Sequence, residues 1–158
     1  MPTIKIKTYV NADRSIVFDL SRSIDLHIIT AEATHEKAIA GKTNGLIGLH
    51  EEVTWRALHL GCFQNFTSKI TTFDRPHHFT DEMVKGIFKS FRHEHYFSES
   101  NGGTVMKDVL HYAAPLGFLG HWADALFLKD YLTRFIQHRN QMIKAYAESG
   151  EWKKILRT

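Results

Sequence analysis

The sequence predicts an α+β fold in which an antiparallel sheet of about seven strands packs on one long C-terminal helix. From residue 36 to residue 113, apolar and polar residues alternate and turn signals separate the runs, which is typical of successive strands. After Pro115, apolar residues recur at helical spacing up to residue 148. Because a meander of strands must cover its apolar face, the final helix is the expected cover.

One strand and two short helices are predicted ahead of this run. The segment TIKIKTYV alternates isoleucine with lysine, which indicates a strand with one wet face. Asn11 or Asp13 can cap the helix that follows, and its apolar residues fall at helical spacing. The segment SRSID indicates a break before a second short helix.

The strands after residue 50 are expected to turn a mixed face inward. Val53, Trp55 and Ala57 alternate with polar residues, so this strand has an apolar inner face. Gly61 marks a turn, and the returning strand places four residues on one face: Gln64, Phe66, Ser68 and Ile70. Glu82 is expected to point inward if Lys85-Gly86 is the next turn. Polar groups among aromatic side chains favour a ligand cavity over a solid core.

The final helix is predicted over Leu119 to Glu148, which corresponds to about 45 Å at 1.5 Å per residue. Its apolar stripe contains Leu128, Leu132, Phe135, Ile136, Met142, Ile143 and Tyr146. The basic tail, residues 149–158, is expected to be loosely held. The length of 158 residues suits a single domain over residues 1–158.

Composition excludes several classes of protein. The hydrophobic fraction of 43% and the charged fraction of 23% are ordinary for a globular protein. The net charge of +3 is spread along the chain without a basic block, so nucleic-acid binding is not expected. No signal-peptide core and no run of about 18 apolar residues are present, so we expect a cytoplasmic protein without stable membrane insertion. The single Cys62 allows neither an internal disulfide nor a CxxC zinc cluster.

The segment FRHEHYFSESNGGTVMKDVLHY predicts a hairpin with its turn at Asn101-Gly102. In that register His95 faces Asp108, and the two strands place most of their large apolar residues on one face. This face is therefore expected to point inward. It contains Phe91, His93, His95, Phe97, Met106, Asp108, Leu110 and Tyr112.

Three interpretations of His93, His95 and Asp108 remain open at this stage. Two imidazoles on one strand suit a metal, but the third and fourth ligands that a metal needs are not evident, so we expect neither metal nor cofactor. A histidine opposite an aspartate also suits a buried structural pair. The same three residues would equally suit the polar part of a cavity wall.

Three segments of the chain resemble the SRPBCC superfamily, also called START-like or helix-grip proteins: SIVFDLSRSIDLH, GLIGLHEEVTWRA and the long run from ITTFDRPHHF to PLGFLG. The resemblance covers nearly the full length and is nearest to small bacterial members described as cyclase/dehydrase-like. This chain has NADRS where relatives often carry a proline before the first helix. The resemblance implies a curved sheet around the C-terminal helix, with a deep apolar cavity between them. Relatives bind lipids, sterols or polyketides there, and a minority catalyse cyclisation or dehydration.

The leading hypothesis is a binding protein for a hydrophobic or amphipathic small molecule, monomeric or weakly dimeric. Its expected ligand contacts are Trp55, Phe66, Glu82, Phe91, His93, His95, Phe97, Met106, Asp108, Leu110, Tyr112, Leu128, Leu132 and Phe135. The alternative is a cyclase, aromatase or dehydratase in which His95, held by Asp108, acts as general base, with His93 as a further candidate. A third hypothesis is a protein-interaction module that uses the apolar segment GFLGHWADALF.

Overall fold

Seven antiparallel strands form one sheet in the computed structural model, which describes residues 1–115, 122 and 124–157. The order across the sheet is β1-β7-β6-β5-β4-β3-β2, so the chain closes by placing its first strand beside its last. The strands are β1 (Thr3–Val10), β2 (Lys37–Gly41), β3 (Glu52–His59), β4 (Cys62–Asp74), β5 (His78–Lys85), β6 (Ser90–Ser100) and β7 (Gly103–Ala113).

The two short helices predicted after β1 are confirmed as α1 (Arg14–Ser21) and α2 (Ile24–Thr30). Of the two candidate caps, Asp13 is the one used, because its carboxylate accepts a hydrogen bond from the Ser15 amide at 2.8 Å. Ser23 caps α2 by accepting from the Leu26 amide at 3.2 Å. A short 3₁₀ turn, Glu32–Thr34, leads into β2.

The C-terminal helix α3 runs over Lys129–Ser149 and follows a π-helical turn, Asp124–Leu128. The expected start at Leu119 lies outside the described residues, and the end is one residue beyond the prediction. After Gly150 a last short helix, α4 (Trp152–Ile155), follows. The end of the chain was expected to be loosely held, yet Trp152, Ile155 and Leu156 are half-buried against the hydrophobic core. Among the described residues, no helix combines the length and the apolar character that a membrane span requires.

The β6–β7 hairpin has the predicted register. Asn101 and Gly102 both have positive φ angles, 49° and 76°, which is the backbone of the two-residue turn that suits strand twist. His95 pairs with Asp108 across the ladder, and Phe97 pairs with Met106. The side chains of β6 and β7 that were predicted to share one face therefore do share it.

The register of β5 differs from the expectation. Four residues, Gly86 to Lys89, connect β5 to β6, so the turn is longer than a Lys85-Gly86 turn. As a result Glu82 pairs with Arg92, which alternates away from His93 and His95. The expectation that Glu82 points inward is wrong, and its neighbour Asp81 takes that place.

Candidate functional site

A cavity of about 180 Å³ lies between the sheet and the helices α2 and α3. Most of its wall is apolar, with contributions from strands β3, β4 and β7 and from α3. Polar side chains interrupt this wall, and two groups of them are described below. Apolar wall residues include Ile24, Val53, Trp55, Ile70, Leu110 and Ile136.

Half of the predicted contact residues lie in the cavity wall. These are Trp55, Phe66, Phe91, His93, Leu110, Leu132 and Phe135. Five others are buried behind the wall: His95, Phe97, Met106, Asp108 and Tyr112. Leu128 packs against the apolar cluster of β1, β7 and α3, and Glu82 lies on the outer face. Contact of any of these residues with a ligand stays a prediction.

Helix α1 explains why part of the inner face is not available to a ligand. Phe18 of α1 packs its ring at 5.2 Å from the ring of Phe97, between ring centroids. The Ser21 hydroxyl, also on α1, donates to the Met106 sulfur at 3.4 Å. The hairpin alone could not reveal this, because strand alternation defines a face but not what covers it.

Asp108 is the centre of a buried hydrogen-bond network. Its Oδ1 accepts from His93 Nε2 at 2.9 Å and lies 3.1 Å from His95 Nδ1. Its Oδ2 accepts from the Asn140 side-chain amide of α3 at 2.6 Å. The network therefore ties the β6–β7 hairpin to the C-terminal helix through one carboxylate.

Asp81 extends this network into the cavity wall, and sequence reasoning missed it. Its Oδ2 lies 2.9 Å from His95 Nε2, so both ring nitrogens of His95 face carboxylates. Asp81 and His93 line the cavity, whereas His95 stacks on Phe79 at 4.2 Å and is 1% exposed. Alternation from the large apolar Phe79 would have identified Asp81 as the inward residue of β5.

The network keeps both carboxyl groups ionised. Burial would raise the pKa of Asp108, but hydrogen bonds from His93 and His95 outweigh it and hold this pKa well below its usual range. Burial likewise opposes ionisation of Asp81, and the hydrogen bond from His95 lowers its pKa overall.

For His95, burial would lower the pKa, yet the two carboxylates raise it above the ordinary value. The pKa of His93 is lowered, by burial first and then by the charge of His95. The consistent state is a cationic His95 between two carboxylates, beside a neutral His93.

This arrangement predicts that the protein is less stable at pH 9 than at pH 6.5. A histidine whose pKa is raised by folding contributes stability that is complete below pH 6.5 and is lost as the pH rises through the folded pKa. Folding lowers the pKa values of His93, His59 and His78. These three histidines therefore reduce stability only as the pH drops below about 6.5, and they do not affect the comparison between pH 6.5 and pH 9. Thermal melts at the two pH values test this, with His95→Gln as the variant expected to lose the alkaline decrease. A wild-type Tm that stays level or rises between these pH values would contradict the cationic His95.

Asp81, His93 and His95 form one group that could reach a metal ion, since ligand atoms of all three lie within 4.8 Å of one another among the described residues. Two imidazoles and a carboxylate suit zinc or another transition metal. However, carboxylates already engage both nitrogens of His95, so a metal would have to displace the proton on Nε2. The expectation of no metal stays a prediction.

A second polar group stands in the cavity wall, and no sequence signal pointed to it. Glu36 lies 3.3 Å from His27 through its Oε1 and the ring Nε2. His59 Nδ1 and the Tyr131 hydroxyl form a hydrogen bond of 2.6 Å. Arg139 of α3 also lines the cavity and donates to the Ser21 carbonyl of α1. These residues come from four separate segments, so only the folded chain brings them together.

Comparison with solved structures identifies the fold. TTHA0849 from Thermus thermophilus is 14% identical, with a TM-score of 0.72 over 92% of this chain and 99% of that one. Ginseng major latex-like protein 151 from Panax ginseng is 15% identical, with a TM-score of 0.68 over 92% and 97% of the two chains. The di-domain ARO/CYC StfQ from the steffimycin biosynthetic pathway is 10% identical, with a TM-score of 0.76 over 94% of this chain and 51% of StfQ.

Sheet, cavity and C-terminal helix together define a helix-grip fold. The fold expected from the resemblance to the SRPBCC superfamily is confirmed by these structures. No protein-family model and no curated protein matches the sequence. At these identities, the likeness defines the fold and leaves the ligand open.

Proposed function

We propose that this protein binds a hydrophobic or amphipathic small molecule in the cavity between the sheet and α3. The observation that carries the proposal is a mostly apolar cavity whose wall contains two separate groups of polar side chains. Small-molecule sites have this composition, in which apolar walls supply affinity and a few polar groups set orientation. The likeness to an ARO/CYC of a biosynthetic pathway supports the proposal.

The cavity size favours a compact ligand. A volume of about 180 Å³ has room for roughly a dozen water molecules. A ligand of two or three rings that buries about 250 Å² of apolar surface would gain about 6 kcal/mol before the costs of association. Micromolar affinity therefore requires the polar groups to contribute as well.

Catalysis by His95 has less support than binding. A general base must reach the substrate directly or through one water. His95 lies behind the cavity wall, and both of its nitrogens already face carboxylates. His93 is the imidazole of this network that a bound molecule would meet. The interaction hypothesis rests on GFLGHWADALF, of which Gly117–His121 and Ala123 lie outside the described residues.

We expect Ala57→Phe to weaken binding of the neutral fluorescent probe N-phenyl-1-naphthylamine at least tenfold. Ala57 lines the cavity, so a phenyl ring at this position occupies the space of the ligand. Fluorescence titration measures the dissociation constant for the wild type and the variant. The matched control is Ala40→Phe on β2, where the side chain is exposed and binding should not change. Absence of saturable binding to the wild type, or equal weakening by both variants, would contradict the proposed site.

A further inference from the structure

Glu36 carries an unsatisfied oxygen inside the cavity wall. Its side chain is 8% exposed, and its Oε2 has no hydrogen-bond partner among the described residues. The other oxygen, Oε1, lies 3.3 Å from His27 Nε2, an atom that also lacks a well-formed hydrogen bond there. Buried polar atoms in folded proteins are nearly always paired, so this acceptor in the cavity wall is a candidate partner for a donor on a bound molecule.

The Glu36 carboxyl group is ionised, which makes such a donor more valuable. Burial would raise its pKa, but the charges of His27, His59 and Arg139 lower it overall. A hydrogen bond to an ionised acceptor is stronger than one between neutral groups. The Arg139 guanidinium lines the same cavity, and its charge is among those that lower the Glu36 pKa, so a cation already acts on this carboxylate.

An aromatic surface adjoins this oxygen. The Trp55 indole and the His27 imidazole lie with ring centroids 4.2 Å apart and an interplanar angle of 30°. All three side chains line the cavity. A flat ligand that packs on the indole would therefore bring its edge close to the carboxylate.

We infer that the ligand of this cavity is an aromatic or alicyclic molecule with a neutral hydroxyl group, which donates a hydrogen bond to Glu36 Oε2. This inference rests on the proposed function, because it names the class of molecule that enters the same cavity. A hydroxyl supplies a donor to Oε2 and adds no charge to a cavity wall that already contains a cation. An ammonium group would donate as well, but it would add a second positive charge to a cavity wall that already contains Arg139.

Calorimetric titration with three related probes tests the inference: naphthalene, 2-naphthol and 2-naphthylmethylamine at pH 7. Wild-type protein should bind 2-naphthol at least tenfold more tightly than naphthalene, and more tightly than the ammonium probe. Glu36→Gln should remove most of this preference while naphthalene affinity stays unchanged, which also shows that the variant folds. Glu32→Gln, at an exposed position four residues away, is the matched control and should keep the preference.

The outcomes separate this inference from the proposed function. Equal binding of naphthalene and 2-naphthol by wild-type protein would overturn the hydroxyl inference and leave the cavity as a binding site. A preference for 2-naphthol that survives Glu36→Gln would overturn the role of Glu36. If 2-naphthylmethylamine binds more tightly than 2-naphthol, the ligand class would be a cationic amine and the assignment of a neutral hydroxyl would be wrong. If none of the probes binds, the proposed function itself fails, and the inference fails with it. If the Glu36 variant does not fold, the wild-type comparison still decides whether the cavity prefers a ligand with a hydroxyl group.

Discussion

We expect Asp108→Asn to lower the free energy of unfolding by about 3 to 5 kcal/mol, the range found when one partner of a buried ion pair is removed. Asp108 is 1% exposed and accepts hydrogen bonds from two histidines and from Asn140. An asparagine of the same shape retains one acceptor oxygen, but its amide nitrogen is a hydrogen-bond donor that would face the N–H groups of His93, His95 or Asn140. The loss leaves His95 without one of its two counter-charges and loosens the link between β7 and α3. Urea unfolding of the wild type and the variant measures the change.

The control for this variant is Asp130→Asn on the same helix as Asn140. Asp130 pairs with Arg134 at 3.3 Å, but both side chains are largely exposed, so the change should stay below about 1 kcal/mol. If Asp108→Asn costs no more than Asp130→Asn, then the buried network does not stabilise the fold in the way its geometry indicates.

Phe18→Ala is expected to cost about 3 to 5 kcal/mol, as is usual when a buried aromatic ring is deleted. Phe18 is fully buried on α1, and its ring centroid lies 5.4 Å from those of Phe73 and Phe79 and 5.2 Å from that of Phe97. Each of these contacts is an edge-to-face pair, which adds to the burial of area. The deleted ring therefore opens a void between α1 and the phenylalanines of β4, β5 and β6.

Phe63→Ala is the matched control, because Phe63 is 59% exposed on β4, where the Arg56 guanidinium lies 5.0 Å from its ring centroid. We expect a change of about 1 kcal/mol or less for it. Chemical denaturation of both variants gives the comparison. Similar losses for the two phenylalanines would show that α1 does not seal the core as described.

The β6–β7 hairpin shows how much of the site could be predicted from the alternation of side chains along a strand. A two-residue turn at Asn101-Gly102 sets the pairing of β6 with β7, and pairing sets which side chains share a face. His93, His95 and Asp108 could therefore be placed together without coordinates. Where the turn was not recognisable, as between β5 and β6, the same reasoning selected Glu82 in place of Asp81.

The site illustrates a second limit of sequence reasoning. Alternation identifies an inner face, but the depth of a side chain behind that face depends on which helix covers it. Phe97 and Met106 are in the predicted face and are sealed by α1, whereas Phe91 and Leu110 are in the same face and line the cavity. Local pattern carries no information about this cover.

The order of elements, the hairpin register, the capped helices after β1 and the apolar stripe of α3 were determined by the sequence itself, because turn residues, caps and periodicity act over a few neighbouring positions. Only the tertiary structure decided which inner residues border the cavity, and only it joined Asp81 to His95. It also placed Glu36 beside His27 and Trp55. These contacts join segments far apart in the chain, and their geometry follows from how helices pack on the sheet.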